Sequence, residues 1–266
     1  MKKVIGLLLA VMTLACVSCS KKIEKGEFTV QKGKYMVGME IGYPPFEYYA
    51  DDGSTPMGFD VLLGKEIAKR LGLEAEFIDT AWDGIFAGLD TDRYDVVMSA
   101  ATITPERVAN YDFSTPYIGN GQAIILRKDS TLNITKFEDL AGLKVGYQAE
   151  TTSDFYTKKH SAESGFTYVE NAYDKVMNAY DDLKLGRIDA VVSDSLVAVN
   201  YLSVPNTEFK QVWSAEPDEY FGVCMKKGNT VLQEKVHAIL EDMKKDGSLK
   251  QIYMEVFNMD LSDSIK

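Results

Sequence analysis

Two stretches of this chain, LDTDRYDVVMS at Leu89–Ser99 and LKLGRIDAVVS at Leu183–Ser193, align without a gap and share leucine, arginine, aspartate, valine and a closing serine. Each has the pattern of a helix end, a turn and a short apolar strand. A unit of this kind that recurs points to two lobes of similar construction. Around the echoes, strand-like segments (KYMVGME, EAEFID, DVVMS, GQAIILR, LKVGY, DAVVS, EYFGVCM) alternate with helical patterns. The clearest helix is FDVLLGKEIAKRLG, from about Phe59, with Gly72 past its end; others are expected from Trp82 to Leu89 and behind the N-cap Thr104. The alternation predicts an α/β chain, each lobe a mixed, mainly parallel sheet flanked by helices.

In open parallel sheets, ligands sit at the C-terminal ends of the strands. Both echoed strands end in serine, and the charges that come after the two serines differ in sign. Ser99 leads through the small Ala100 and Ala101 to Thr104, Pro105 and Glu106, a good helix start, and then to Arg107. A cation in a first helical turn costs roughly 0.3 to 1 kcal/mol unless an anion offsets it, so Arg107 calls for a neighbouring carboxylate or a bound anion. Ser193 leads at once to Asp194. If the lobes face each other, one supplies a cation and the other an anion, which together complement a zwitterion such as an α-amino acid.

The N-terminus opens with Met1, Lys2 and Lys3 and continues with an apolar run, Val4 to Ala15, too short to span a bilayer. That is the form of an export signal. Cys16 and Cys19 sit where such a signal is cut, and TLAC resembles a bacterial lipoprotein box, with Cys16-Val17-Ser18-Cys19 as the alternative; the resemblance implies that the cleaved chain is lipid-anchored through either Cys16 or Cys19. The remaining cysteine, Cys224, lies in an apolar segment and is expected to be a buried small hydrophobe, with no disulfide framework. A formal net charge of -11 argues against nucleic acid as a partner, because phosphate neutralisation needs a basic face.

From about Lys34 onward the chain resembles the polar-amino-acid family, family 3, of bacterial extracellular solute-binding proteins, the ligand receptors of ABC importers. The motifs that carry the resemblance are YPPFEY, GFDVLLGKEIAKRLG, WDGIFAGLDTDRYDVVMSAATITPERVANYDFSTPY, LKVGYQAETTSDFY and GRIDAVVSDSLVAVNYL, in family order. The resemblance implies a two-lobed, type II periplasmic-binding-protein-like fold with two hinge crossovers, near Ser114 to Asn120 and Asp218 to Gly222. Residues 1–19 would be the signal, 20–33 a polar linker, 34–118 with 219–266 the first lobe and 119–218 the second. It further implies that Arg107 grips a ligand α-carboxylate with help from Thr102 and Thr152, and that Asp194, assisted by Ser99, receives the α-ammonium. Tyr43 and Trp82 match aromatic positions beside the ligand side chain, and Glu40 and Gln148 match side-chain contacts. Taken as residues alone, Tyr43 and Trp82 are also good core packing, and Glu40 is equally a solvated strand-end charge. A glutamate there favours a ligand with a distal donor: arginine, lysine, ornithine, histidine or glutamine, with cystine also open.

The expected role is delivery of a polar, basic L-amino acid to an ABC permease by an exported, lipid-anchored monomer without metal or cofactor. Two rivals stand beside it: a cyclohexadienyl-type dehydratase on the same fold, and a ligand-sensing partner of a membrane receptor. Neither has a motif of its own here. His160 and His237 lack metal-ligand spacing, and no phosphate loop or nucleophile elbow is present.

Overall fold

The computed structural model describes residues 24–265. Its strands in chain order are β1 (Lys34–Met39), β2 (Tyr48–Tyr49), β3 (Pro56–Met57), β4 (Glu74–Asp79), β5 (Val96–Val97), β6 (Tyr111–Phe113), β7 (Ile118–Asn120), β8 (Gln122–Arg127), β9 (Lys144–Gln148), β10 (Val169–Tyr173), β11 (Ala190–Asp194), β12 (Phe209–Ser214), β13 (Glu219–Phe221) and β14 (Cys224–Lys226). The helices are α1 (Phe59–Leu71), α2 (Ala87–Asp90), α3 (Pro105–Asn110), α4 (Thr152–Ser164), α5 (Val176–Lys184), α6 (Ser195–Ser203), α7 (Thr230–Asp246) and α8 (Ser248–Phe257). Two five-stranded sheets carry the lobes, in the orders β4-β1-β5-β14-β6 and β10-β9-β11-β8-β12. In each, the first three strands are parallel and the last two run antiparallel to their neighbours. Strands β7 and β13 pair with each other outside both sheets, as the two crossovers between them.

The echo seen in the sequence is a structural repeat. Val37 and Gly38 of β1 pair with Val96 and Val97, while Val145 and Gly146 of β9 pair with Ala190 and Val191. Asp95 accepts the Met36 N–H at 2.7 Å, and Asp189 accepts the Lys144 N–H at 2.8 Å, each locking the start of the neighbouring strand. Gly38 and Gly146 are required by close approach: a Cβ would lie 2.5 Å from the Tyr94 ring in the first case and 2.5 Å from Ile188 Cδ1 in the second. Tyr94 and Ile188 are themselves equivalent positions of the echo.

Two elements differ from expectation. The helix predicted from Trp82 to Leu89 is a 3₁₀ turn at Trp82–Gly84 followed by the short α2. Gly84 and Gly88 weaken it, and the Tyr94 hydroxyl donates to the Ile85 carbonyl that a continuous helix would offer to Leu89. The Leu89 N–H turns to Phe86 O instead, at 3.0 Å. EYFGVCM, which has the pattern of one strand, is two: β13 belongs to the crossover and β14 to the first sheet. The break comes at Gly222 and Val223, where the Gly222 N–H donates to Ala101 O at 3.1 Å and the Val223 N–H to Ser114 Oγ at 2.9 Å.

Helix α1 ends as expected, with Gly72 in the left-handed region at φ 72°. It packs Phe59 against Phe46, Tyr117, Tyr253 and Phe257, with ring centroids 5.5 to 6.0 Å apart. Phe46 is fully buried in this core. Fully burying each such side chain contributes on the order of 1.5 to 3 kcal/mol. Cys224 is a buried free thiol, as expected. The positions 1–23, with Cys16 and Cys19, lie outside the described residues.

Candidate functional site

Between the two sheets lies a narrow, closed-down polar cleft, lined by Glu40, Tyr43, Trp82, Ser99, Ala100, Thr102, Arg107, Gln148, Thr151, Thr152 and Asp194. All nine ligand-site residues expected from the sequence border it, and side chains from the two lobes meet across it.

At one end is Arg107. Thr104 caps α3, accepting the Arg107 N–H at 3.2 Å, which fixes the guanidinium over the cleft. Its Nη1 donates to Thr102 O at 2.9 Å, and its plane lies over the rings of Trp82 and Phe86, 5.2 and 4.9 Å from their centroids. Arg70, Arg127 and Arg187 each pair with a carboxylate, whereas Arg107 forms no ion pair among the described residues. Burial lowers its pKa from the ordinary arginine value, since removal from water penalises the cation. The Thr102 and Thr152 hydroxyls stand 3.4 Å apart across the lobe boundary. Thr102 bridges to Phe221, and its N–H has no acceptor among the described residues. Thr152 opens α4, whose first-turn N–H groups are natural anion donors. This end can hold one carboxylate.

Asp194 comes from the other lobe. Its Oδ2 accepts the Tyr43 hydroxyl at 2.5 Å, and its Oδ1 accepts Asn120 Nδ2 at 2.8 Å and Gln122 Nε2 at 2.9 Å. Burial raises its pKa despite these donors, so a cation placed against it would be favoured. Ser99, expected to assist Asp194 at the ligand α-ammonium, lines the cleft and is also tied into the first lobe. Its hydroxyl accepts the Glu40 N–H at 3.0 Å and donates to Glu47 at 2.8 Å, bracing the end of β1. Of the two small residues after it, Ala100 lines the cleft while Ala101 is in the core. Ala100 sits at φ 48°, an uncommon conformation for a residue with a Cβ, and its N–H donates to Asp60 at 2.7 Å.

At the far end Glu40 and Gln148 meet. Gln148 Nε2 donates to Glu40 Oε2 at 2.6 Å and to Asp174 O at 3.0 Å, leaving Gln148 Oε1 buried without a partner. Glu40 is 2% exposed, and burial raises its pKa against the opposing pull of Gln148 and Lys175. It is a buried acid, not a solvated strand-end charge. Trp82 closes the Arg107 end, its Nε1 donating to Glu150 O of the second lobe at 3.0 Å. Its ring therefore carries the protein's own guanidinium.

Several site residues had no sequence signal strong enough to find them. Asn120 and Gln122, which orient Asp194, flank Gly121 where the first crossover enters the second sheet. Lys175 reaches Ile41 O at 3.4 Å beside Glu40. Glu219, at the start of β13, has its carboxylate 3.0 Å from Thr152 Oγ1, 3.4 Å from Thr102 Oγ1 and 2.9 Å from Gln122 Nε2. Burial and the neighbouring Asp194 push its pKa up to about 7. The one clue was an acidic residue opening an otherwise apolar segment. Behind Ser99 and Ala100, Glu47 and Asp60 form a buried carboxyl pair, with Glu47 pushed well up by burial and Asp60 to about 6.

Two lobes joined by a pair of crossover strands, with a cation from one and an anion from the other at a closed cleft, define a hinge-closing binding protein for small zwitterions. The model of the bacterial extracellular solute-binding proteins, family 3, matches residues 35–259, and the chain belongs to that family. It is 35% identical over 232 residues to the L-cystine-binding protein TcyJ of Escherichia coli strain K12, covering 87% of this chain and 85% of that protein. Among solved structures, an ancestral arginine-binding protein bound to arginine superposes with a TM-score of 0.79 at 40% identity, covering 85% of this chain and 99% of that one. The ancestral amino acid-binding protein AncCDT-1, a precursor of cyclohexadienyl dehydratase, gives 0.76 at 36% identity, covering 85% and 95%. The fold is type II periplasmic binding, and the protein is an amino-acid-binding component of an ABC transporter.

Proposed function

We propose that the amino acid is basic, its α-carboxylate on Arg107, Thr102 and Thr152, its α-ammonium on Asp194 and its distal cation on Glu40 and Gln148. The observation that carries this reading is the distal pair: a buried carboxylate beside a buried amide oxygen with no donor of its own. Two acceptors facing one space call for a donor-rich group, and a guanidinium or ammonium supplies it. Calorimetric titration with arginine, lysine, ornithine, histidine and glutamine tests it. Arginine, lysine or ornithine should bind at least roughly tenfold tighter than glutamine, the difference of a charge-assisted hydrogen bond. Glutamine binding best would sink the reading.

A second ligand has an observation in its favour. Lys175 lies beside Glu40, so the distal end offers a cation as well as an anion and could receive a second α-amino acid group, as in cystine. Cystine belongs in the same titration, and Lys175→Ala should weaken cystine while sparing arginine.

The protein acts by reversible binding and carries out no reaction on this reading. His160 stacks on Tyr156 with ring centroids 3.8 Å apart and bonds the Tyr156 carbonyl, outside the cleft. The lipid anchor at Cys16 or Cys19, the monomeric state and docking to the permease complete the proposal. Loss of membrane association on replacing both cysteines with alanine would support the anchor.

A further inference from the structure

Glu219 poses a hydrogen-bonding problem. Its carboxylate lies within reach of the Thr102 and Thr152 hydroxyls, one from each lobe, and the Thr102 hydroxyl is also placed to hold the ligand α-carboxylate, beside the N–H groups that open α4. Each hydroxyl has one proton to donate. Spent on Glu219, that proton is lost to the ligand; spent on the ligand, it leaves Glu219 facing a hydroxyl oxygen with nothing to accept from it. The Gln122 amide cannot resolve the conflict, because its Nε2 already serves both Glu219 Oε1 and Asp194 Oδ1. One added proton does. A neutral Glu219 donates to a threonine hydroxyl, and the threonine passes its own proton on to the ligand.

We propose that Glu219 is a proton-taking residue of the hinge: binding of the ligand α-carboxylate transfers one solvent proton to the Glu219 carboxylate, so that affinity falls as pH rises above neutrality. The proposal rests on the amino-acid reading of the cleft. The titratable and charged groups that face Glu219 from the surrounding elements are Arg107 on α3, Asp194 at the end of β11, Tyr156 on α4 and Asp218 beside it in the chain. Of these charges only Arg107 opposes protonation, and an arriving ligand carboxylate would take up that cation. Asp194 and Asp218 both favour the neutral form. Because Glu219 lies on a crossover strand and bonds residues of both lobes, it senses the closed cleft in which the two hydroxyls converge.

The test is calorimetry of the whole protein with L-arginine at pH 7.5, in phosphate and in Tris, two buffers of very different ionisation enthalpy. With a carboxyl near pH 7 before binding, uptake of about three-quarters of a proton is expected. Glu219→Gln supplies a permanent donor in the same shape and keeps the acceptor for Gln122. In that variant the uptake should vanish, affinity at pH 6 should match the wild type, and affinity at pH 8.5 should exceed it by roughly tenfold or more. Equal heats in both buffers for the wild type, or an uptake that survives in Glu219→Gln, would overturn the proposal. If no binding of arginine or cystine is seen at any pH, it is the amino-acid reading itself that has failed.

Discussion

The two lobes are built on one plan and put to two uses. Strands β1 and β9, each carrying a Val-Gly step, pair in the same register with β5 and β11, each preceded by an aspartate that locks its neighbour. From the ends of those strands the chemistry diverges. Glu40 comes just after β1 and Gln148 ends β9 at equivalent places, and they meet across the cleft as an acid and an amide. Ser99 braces the Glu40 backbone, while its equivalent Ser193 turns to the Tyr180 hydroxyl, 2.8 Å away in the core. The first lobe then supplies Arg107 and the second Asp194. Symmetric scaffolds thus deliver asymmetric ends, which an α-amino acid requires, since its carboxylate, ammonium and side chain diverge from a single carbon.

Removing the asymmetry should have the largest effect. Arg107→Ala should weaken every α-amino acid ligand by about 3 to 5 kcal/mol, because a desolvated carboxylate is left unpaired. Titration of the variant checks this. Next come the paired glycines, where the same substitution meets different neighbours. Gly38→Ala drives a Cβ against a rigid Tyr94 ring and should cost about 2 to 3 kcal/mol, whereas Gly146→Ala meets chiefly the flexible tip of Ile188, with the Tyr173 ring next at 3.1 Å, and should cost less, about 1 to 2 kcal/mol. Denaturant midpoints of the two variants compare the lobes directly. Equal costs would show that the scaffolds respond alike.

Glu40→Gln makes the distal pair symmetric, with an amide from each lobe. It should weaken arginine by about 1.5 to 3 kcal/mol and change glutamine little, reordering the ligands while sparing the shared α-carboxylate grip. The smallest effect concerns the acids behind the first lobe. Glu47 and Asp60 hold protons in the fold that ordinary carboxyls release near pH 4, so the folded chain binds more protons over that interval. Their contribution is complete below about pH 4 and is lost as pH rises through about 6 and above, so the melting temperature should drop by a few degrees between pH 5 and pH 8. Glu47→Gln should flatten that profile.

Much of the scaffold was legible in the chain because its signals are local. The Thr104-Pro105 start that aims Arg107, the Gly72 stop and the echoed strands all depend on a few adjacent residues. Glu219, Asn120, Gln122 and Lys175 were not legible, because each acts through a partner in another element. Thr152 and Glu219 meet only because a crossover strand runs beneath the junction of the lobes. Phe86 was hidden for another reason: it looks like helix core until the turn at Gly84 redirects it under the guanidinium.

The most direct test of the two-ended cleft compares arginine with agmatine, which has the same guanidinium and amine but no carboxylate. Melting temperatures of the protein, unfolded and refolded to remove bound ligand, would be measured with each, alongside lysine, ornithine, histidine, glutamine and cystine. At 100 times its dissociation constant a ligand adds about 2.7 kcal/mol, or about 5 to 10 °C for a chain of this size. A shift of that order with at least one basic amino acid and none with agmatine is the predicted result. Agmatine matching arginine, or no amino acid moving the midpoint, would contradict the account.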